Sequence, residues 1–201
     1  YKDSLAQADA NSVVPLLLYH QSLQLLKYDE IDRILAKFTP QLADNRYYKE
    51  LKAQADVLRK ISPGVMAPDF EVKTVDDGTI KLSSFRGKYL ILDFWASWCI
   101  PCIQEVPLLK KLQEKYKDQG LQIVGVSVDS DREKWQGALD KHQPAGIQIS
   151  ELKGWESVSR VDYGVQAIPF TVLIDASGKI LARNPHGPLL EEIIEKYFSK
   201  K

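Results

Sequence analysis

The chain has 201 residues, 44% of them hydrophobic and 27% charged, enough to bury the core of one ordinary domain with an appendage. Lys plus Arg (27) balance Asp plus Glu (27), so no basic stripe points to nucleic acid, and a polyanion partner is not expected. The longest apolar runs, Val13 to Leu18 (interrupted by Pro15) and Tyr89 to Leu92, fall far short of the ~20 residues that cross a bilayer, so no membrane span is expected. The chain begins with Tyr1 and shows no charged-then-apolar leader, which reads as a processed or truncated product.

Residues 1 to 61 contain no Gly and only two Pro, and apolar residues recur at helical spacing, as in Ile31, Ile34, Leu35 and Phe38. Ser12 is a candidate cap for a helix carrying Leu17, Leu18, Leu25 and Leu26, with a break possible near Tyr28 and Asp29. Thr39-Pro40 ends the helical run, because a residue before proline avoids the α region. Asp44 or Asn45 can start the next helix, which presents Tyr48, Leu51, Ala55 and Leu58 on one face. Two or three helices are expected before the breaker cluster Ser62-Pro63-Gly64, giving a helical extension over 1–62 and a main domain over 63–201.

Beyond Gly64 the pattern is α/β. Phe70 to Lys73 and Ile80 to Leu82 flank the turn signal Asp76-Asp77-Gly78 and predict a small hairpin. Tyr89 to Trp95 and Leu121 to Val128 are dense apolar runs suited to strands buried on both faces. Between them, Cys99 to about Tyr116 carries Val106, Leu109 and Leu112 in helical register and suits a crossover helix, with Pro107 expected to kink it near Ile103. Asp131 to His142 predicts a second helix, capped by Ser130 or Asp131, so the run Asp129-Ser130-Asp131 is a helix start rather than a metal site. Phe170 to Ile174 and Lys179 to Arg183 form a hairpin around Asp175-Ala176-Ser177-Gly178, and Leu189 to Phe198 closes the domain as a helix.

The chemistry lies in the only two cysteines, Cys99 and Cys102, too close in sequence to close a useful structural loop. They sit at a strand-to-helix junction, where unpaired amides and the positive end of the helix dipole favour a thiolate on the first cysteine. Cys99 is then the nucleophile, and Cys102, three residues on, resolves a mixed disulfide. Half of a zinc site is the rival reading, but His20, His142 and His186 are scattered and supply no second paired ligand motif, so no metal is expected.

The stretch Asp93-Phe94-Trp95-Ala96-Ser97-Trp98-Cys99-Ile100-Pro101-Cys102 resembles the active-site block of thioredoxin-fold proteins. With Ile103-Gln104-Glu105-Val106-Pro107 and the upstream Ala67-Pro68-Asp69-Phe70, it is similar to the TlpA/ResA-like, AhpC/TSA-related branch of bacterial envelope thiol-disulfide oxidoreductases. The resemblance spans about residues 63 to 201. It implies a thioredoxin-like three-layer α/β fold with a central mixed sheet, preceded by the N-terminal helices. It also implies a cis-proline at Ile168-Pro169, within Gly164-Val165-Gln166-Ala167-Ile168-Pro169, opposite the dithiol, where an extended substrate segment could add as a strand.

Asp93 falls at the position of the buried proton-relay aspartate of thioredoxins, and burial would raise its pKa and let it take a proton from Cys102. Gly125 departs from the pattern, standing where thioredoxins usually place the lysine that pairs with that aspartate. Glu105 matches the active-site glutamate of the ResA-like branch and is a second candidate acid, against the plainer reading of a glutamate compensating a helix dipole. The choice between the two carboxylates stays open at this level.

Trp98, Ile100 and Pro101 are expected to contact substrate around Cys99, together with Ile168 and Pro169, whereas Trp95 continues the buried strand and reads as core. Trp135 and Trp155 are assigned to packing or the rim, and His186, beside a turn at Gly187, to the surface. The expected activity is reduction of disulfides in envelope, periplasmic proteins, with protein disulfides or dithiols as substrates and an upstream thiol as electron donor. The redox-active Cys99–Cys102 pair serves in place of any cofactor.

Two alternatives remain. One is a thiol peroxidase, sharing the Ala-Pro-Asp-Phe block, although no threonine stands three residues before Cys99 as a peroxidatic site would require. The other is a binding module with incidental thiols.

Overall fold

The computed structural model describes residues 2–73 and 78–198, and the chain divides into two compact units, Tyr1–Lys60 and Ile61–Lys201. No helix among the described residues is long and apolar enough to cross a membrane.

The first unit contains four α-helices among its described residues, more than the two or three expected. They are α1 (Lys2–Ala8), α2 (Val13–His20), α3 (Tyr28–Leu35) and α4 (Arg46–Lys60), with 3₁₀ turns at Leu23–Leu25 and Pro40–Leu42. The Ser12 hydroxyl accepts from the Val14 amide at 3.3 Å and caps α2. That helix stops at His20 instead of continuing to Leu26. The Ser22 hydroxyl donates to the Tyr19 carbonyl at 3.1 Å, competing with the next helical bond, and Leu25 ends 85% exposed. Helix α1 escaped the sequence reading because a seven-residue segment with few apolar residues has almost no periodic signal; Ala6 is its buried anchor. Asn45 opens α4 by accepting from the Tyr47 amide at 2.9 Å, and Leu51, Ala55 and Leu58 are buried as the spacing required.

The second unit opens with an antiparallel pair, β1 (Glu71–Lys73) and β2 (Thr79–Lys81), in register Val72↔Ile80. Asp76 and Asp77 of the turn signal lie outside the described residues. The remaining elements are β3 (Tyr89–Trp95), α5 (Ile100–Tyr116), β4 (Leu121–Ser127), α6 (Arg132–His142), β5 (Ile147–Ser150), α7 (Val158–Asp162), β6 (Phe170–Ile174), β7 (Ile180–Arg183) and α8 (Gly187–Phe198). The sheet order is β5-β4-β3-β6-β7, with β3, β4 and β5 parallel and β6 and β7 antiparallel to their neighbours. Pro107 lies inside α5, which runs on to Tyr116. Strand β5 and helix α7 were not anticipated: a four-residue edge strand alternating Ile with Gln and Ser, and a single helical turn, carry too little pattern.

Strand β3 occupies the centre and fixes both faces. Ile91 packs with Leu109 and Leu112 of α5 and with Leu190 and Ile194 of α8, while Trp95 packs with Trp135 and Ala138 of α6. Because side chains alternate along a strand, Asp93 lies between them on this helix-covered face. Phe94 points the other way, its ring 5.7 Å from Tyr163 and 6.0 Å from Phe170. The Tyr163 hydroxyl donates to the Pro68 carbonyl at 2.7 Å, tying the Ala67-Pro68-Asp69-Phe70 segment to that layer.

Gly125 pairs with Asp93 on one side and Gln148 on the other. A Cβ at Gly125 would sit 2.1 Å from Gln148 Oε1, so the glutamine side chain occupies the space that any side chain there would need. Gln148 Oε1 accepts from Trp95 Nε1 at 3.0 Å and Nε2 donates to the Ala145 carbonyl at 2.7 Å. Gly125→Ala is therefore expected to displace Gln148 and cost about 1–3 kcal/mol in urea unfolding. The double variant with Gln148→Ala should cost no more than Gln148→Ala alone, because the clash and the lost hydrogen bond are one event.

Candidate active site

The site is built where β3 ends and α5 begins. The Cys99 amide donates to the Ala96 carbonyl at 3.0 Å, closing a turn, and the Val128 amide donates to the Trp95 carbonyl at 2.9 Å, anchoring that turn to the end of β4. Cys99 is the N-cap of α5, and its sulfur accepts from the Cys102 amide at 3.2 Å, as a capping oxygen would. Cys99 and Cys102 are disulfide-bonded, with Cα atoms 5.3 Å apart. The same amide and the helix dipole would stabilise negative charge on Cys99 sulfur once the pair is reduced.

Asp129 holds the turn from outside. It is 2% exposed and accepts from the Ser97 amide at 2.9 Å, the Ser97 hydroxyl at 2.7 Å and the Ser127 hydroxyl at 2.7 Å. The sequence reading gave Asp129 no role of its own. Its signal is positional, for it follows β4 at the carboxyl end of the sheet, where open α/β folds place their sites. Asp131 caps α6 as expected, accepting from the Glu133 and Lys134 amides.

The peptide bond Ile168-Pro169 is cis, and Ile168 packs against the buried cluster that contains Cys99, Cys102, Trp95 and Trp135. Trp98 and Ile100 are 56% and 68% exposed, and Pro101 is exposed beside them. Trp95 is core. Trp135 is buried packing, while Trp155 belongs to the rim, its ring centroid 6.4 Å from that of Trp98 and beneath the Arg160 guanidinium at 5.5 Å.

The two carboxylates are in different situations. Asp93 is 7% exposed, and burial first, then the negative charge of Glu105, pushes its pKa up to about 7; the positive charge available to His186 opposes this. Glu105 is engaged through both oxygens, Oε1 accepting from the Gly187 amide at 3.2 Å and Oε2 lying 3.1 Å from His186 Nδ1. His186 is therefore not the surface residue expected. It is half-buried and bridges α5 to the start of α8, a partnership 81 residues apart that local pattern does not announce. No group of three or more His, Cys, Asp or Glu side chains able to hold a metal ion is found among the described residues.

A dithiol at a helix N-terminus, a cis-proline peptide beside it and a buried carboxylate in the central strand define a thioredoxin-like domain. Residues 63–183 match the AhpC/TSA family, and the chain belongs to that family. It is 33% identical over 141 residues to the thiol-disulfide oxidoreductase ResA of Bacillus thuringiensis subsp. konkukian, covering 70% of this chain and 79% of the relative. It is 34% identical over 123 residues to the thioredoxin-like protein YneN of Bacillus subtilis, covering 60% of this chain and 69% of YneN. Among solved structures, the thioredoxin domain of a thiol-disulfide oxidoreductase from Bacteroides vulgatus superposes with TM-score 0.64 at 31% identity, covering 68% of this chain and 98% of that one. A thiol-disulfide oxidoreductase from Bacteroides fragilis gives TM-score 0.62 at 32% identity, covering 66% and 98%.

Two outcomes are expected. Asp129→Ala removes three hydrogen bonds and leaves the Ser97 amide and hydroxyl and the Ser127 hydroxyl without their acceptor, which should cost about 2–4 kcal/mol in chemical denaturation of the oxidised protein. For Asp93 the sign follows from its raised pKa. The native state holds the proton more tightly than the unfolded chain, so stability is lost as pH rises from the unfolded value near 3.8 through about 7. The full effect is of the order of 4 kcal/mol. Asp93→Asn should flatten that part of the stability profile between pH 4 and 8, read by denaturant unfolding of the oxidised form at several pH values.

Proposed function

We propose that this chain is a thiol-disulfide oxidoreductase that reduces disulfides in other proteins of the cell envelope, and that Cys99 is its nucleophile. The observation that carries the reading is the position of Cys99 at the N-cap of α5, with Cys102 in the first turn and cis Ile168-Pro169 packed against the same cluster.

Cys99 thiolate attacks one sulfur of a substrate disulfide, forming a Cys99–substrate mixed disulfide and releasing the other substrate sulfur as a thiolate, which takes up a proton. Cys102 then gives its proton to a carboxylate, and its thiolate attacks Cys99 sulfur. The Cys99–Cys102 disulfide forms, and the second substrate sulfur leaves and is protonated. Two electrons have passed to the substrate, with one proton originating from Cys102 and one from solvent, and an upstream dithiol returns two electrons to the pair.

Asp93 is the better proton acceptor of the two candidates. Its affinity lies near neutral pH, where a group can both take and release a proton, whereas both oxygens of Glu105 already face partners. Trp98, Ile100 and Pro101 form the exposed apolar border on which a substrate segment would lie, and Ile168 and Pro169 its other side. Ile100-Pro101 between the cysteines carries neither the histidine of strong oxidants nor the glycine of classical thioredoxins, so the reducing direction rests on the family resemblance and is decided by the potential of the pair. The envelope assignment rests on the sequence resemblance, and an oxidising compartment is where a dedicated reductant has work.

The test is the equilibrium reduction potential of the Cys99–Cys102 pair at pH 7 in a thiol-disulfide buffer, followed by Trp fluorescence. A value near about −270 mV or lower is expected, and one near −120 mV would instead make the protein an oxidant. Cys102→Ser should accumulate a mixed disulfide with a model disulfide protein on non-reducing gels, and Cys99→Ser should not. A pair that failed to cycle would sink the reading.

A further inference from the structure

Helix α6 is seated against the dithiol by one face and leaves a second face open beside it. Trp135 and Ala138 are buried in the cluster that holds Cys99 and Cys102, which fixes the helix near the end of β3. Next to that seam Lys134, Gly137 and Lys141, at spacings of three and four residues, share one side of the helix. Together with Ser97 and Trp98, the two residues that precede Cys99, they line an open groove of about 320 Å³. The far end of α6 is tied down as well, since Lys110 Nζ of α5 donates to the His142 carbonyl at 3.1 Å. The groove is thus preformed, and Trp98, 56% exposed, stands between it and the dithiol in sequence and lines it in space.

The groove is cationic, and no Asp or Glu lines it. Lys141 is exposed and has no ion-pair partner among the described residues. Lys134 Nζ stands 3.6 Å from Asp131 Oδ2, but the other oxygen of that carboxylate is occupied in capping α6. The carboxylate that Ser97 touches, Asp129, is buried and engaged by three donors. Lys141 in the last turn suits the helix dipole, whereas Lys134 in the first turn opposes it, so the dipole accounts for one lysine and not the other. Gly137 is the second sign of a contact face. It is exposed in the middle of α6, and a Cβ there would meet nothing within 4 Å. Glycine weakens a helix interior, and no neighbour forbids a side chain here, so the fold does not call for it; its effect is to leave the floor of the groove open.

We propose that this groove selects the protein substrate: it receives an acidic segment flanking the substrate cysteine, with the carboxylates of that segment at Lys134 and Lys141 and its backbone over Gly137 and against Trp98. Lys134 to Lys141 covers two helical turns, about 11 Å, the reach of about three extended residues. The segment is therefore short and adjoins the cysteine that meets Cys99. Exposed ion pairs are individually weak, so the groove acts by raising the rate of productive encounter and by fixing the register of the segment. Naming the occupant as a disulfide substrate rests on the oxidoreductase reading; binding of an acidic segment in the groove can be measured without turnover.

The experiment compares peptides with one internal disulfide that differ only in a run of Asp, Ser or Lys beside one cysteine, each reduced by the full chain in its dithiol form. At low salt the expected order of rates is Asp, then Ser, then Lys, with Asp about fivefold above Ser. The gap should close in about 1 M salt, where the screening length is about 3 Å. Combining Lys134→Glu with Lys141→Glu should reverse the order. Gly137→Gln should raise the urea midpoint yet bring the Asp and Ser rates together, a pairing that a folding defect cannot give. Equal rates for the three peptides, or a preference that survives the double charge reversal, would overturn the proposal. Binding is read separately by amide NMR of the oxidised chain with the Asp peptide carrying Ser in place of its cysteines, and shifts are expected at Ser97, Gly137 and Lys141. If those shifts appear but no peptide is reduced, the groove stands and the oxidoreductase reading fails; if every peptide is reduced without preference or shifts, the groove fails and that reading stands. Shifts at the same amides with phosphatidylglycerol vesicles and none with the Asp peptide would make the groove a membrane contact and overturn the proposal as well.

Discussion

Everything at this site hangs on the pairing of one strand. β3 is bonded along its seven residues to β4 and along five of them to β6, so its register is fixed from both sides and its carboxyl end cannot slide. The turn that follows places Cys99 at the N-cap of α5, and Leu109 and Leu112 clamp that helix to Ile91 beneath it. A shift of one residue would send Asp93 to the Phe94 side of the sheet and detach the dithiol from the carboxylate. The apolar density of β3 is therefore as much a condition of the chemistry as the cysteines are.

Within that frame, the flanking strands give Asp93 no charged neighbour, since its register partners are Gly125 and Thr171. Where related folds use a lysine on the neighbouring strand, Gly125 leaves room for the Gln148 side chain, which spends its hydrogen bonds on Trp95 and the Ala145 carbonyl. On the other side, Glu105 is held by the segment that leads into α8, with His186 Nδ1 3.1 Å from one oxygen and the Gly187 amide donating to the other. A buried carboxylate is costly, and the cost is what keeps its proton affinity near neutrality. Asp129 works by the opposite logic. With three donors converging on it, it serves as a rigid acceptor that holds the Ser97 turn.

The surface follows from the same end of the sheet. Trp98 and Ile100 project beside the dithiol because the cap conformation of Cys99 turns its neighbours outward, and Trp155 joins Trp98 from the loop after β5. A large exposed apolar rim around two buried sulfurs is suited to a macromolecular thiol partner, since it offers contact area that a small peroxide could not use.

The sequence by itself determined the features whose cause is local. The dense apolar run of Tyr89–Trp95, the helical register of Val106, Leu109 and Leu112, the Asp131 cap and the placement of Cys99 and Cys102 at a strand-to-helix junction each depend on neighbours a few residues away. Short elements with weak period, such as α1, β5 and α7, escaped, as did the end of α2, where Ser22 outcompetes the helix. Only the tertiary structure decided which partners each carboxylate holds, because that depends on pairs far apart in the chain: Glu105 with His186 and Gly187, and Ser97 with Asp129. Those pairs are created by the order of strands in the sheet and by the end of it at which loops converge. Residue type alone cannot report this, for a histidine after a hairpin and an aspartate before a helix have ordinary local roles until the sheet brings them to the same few ångströms.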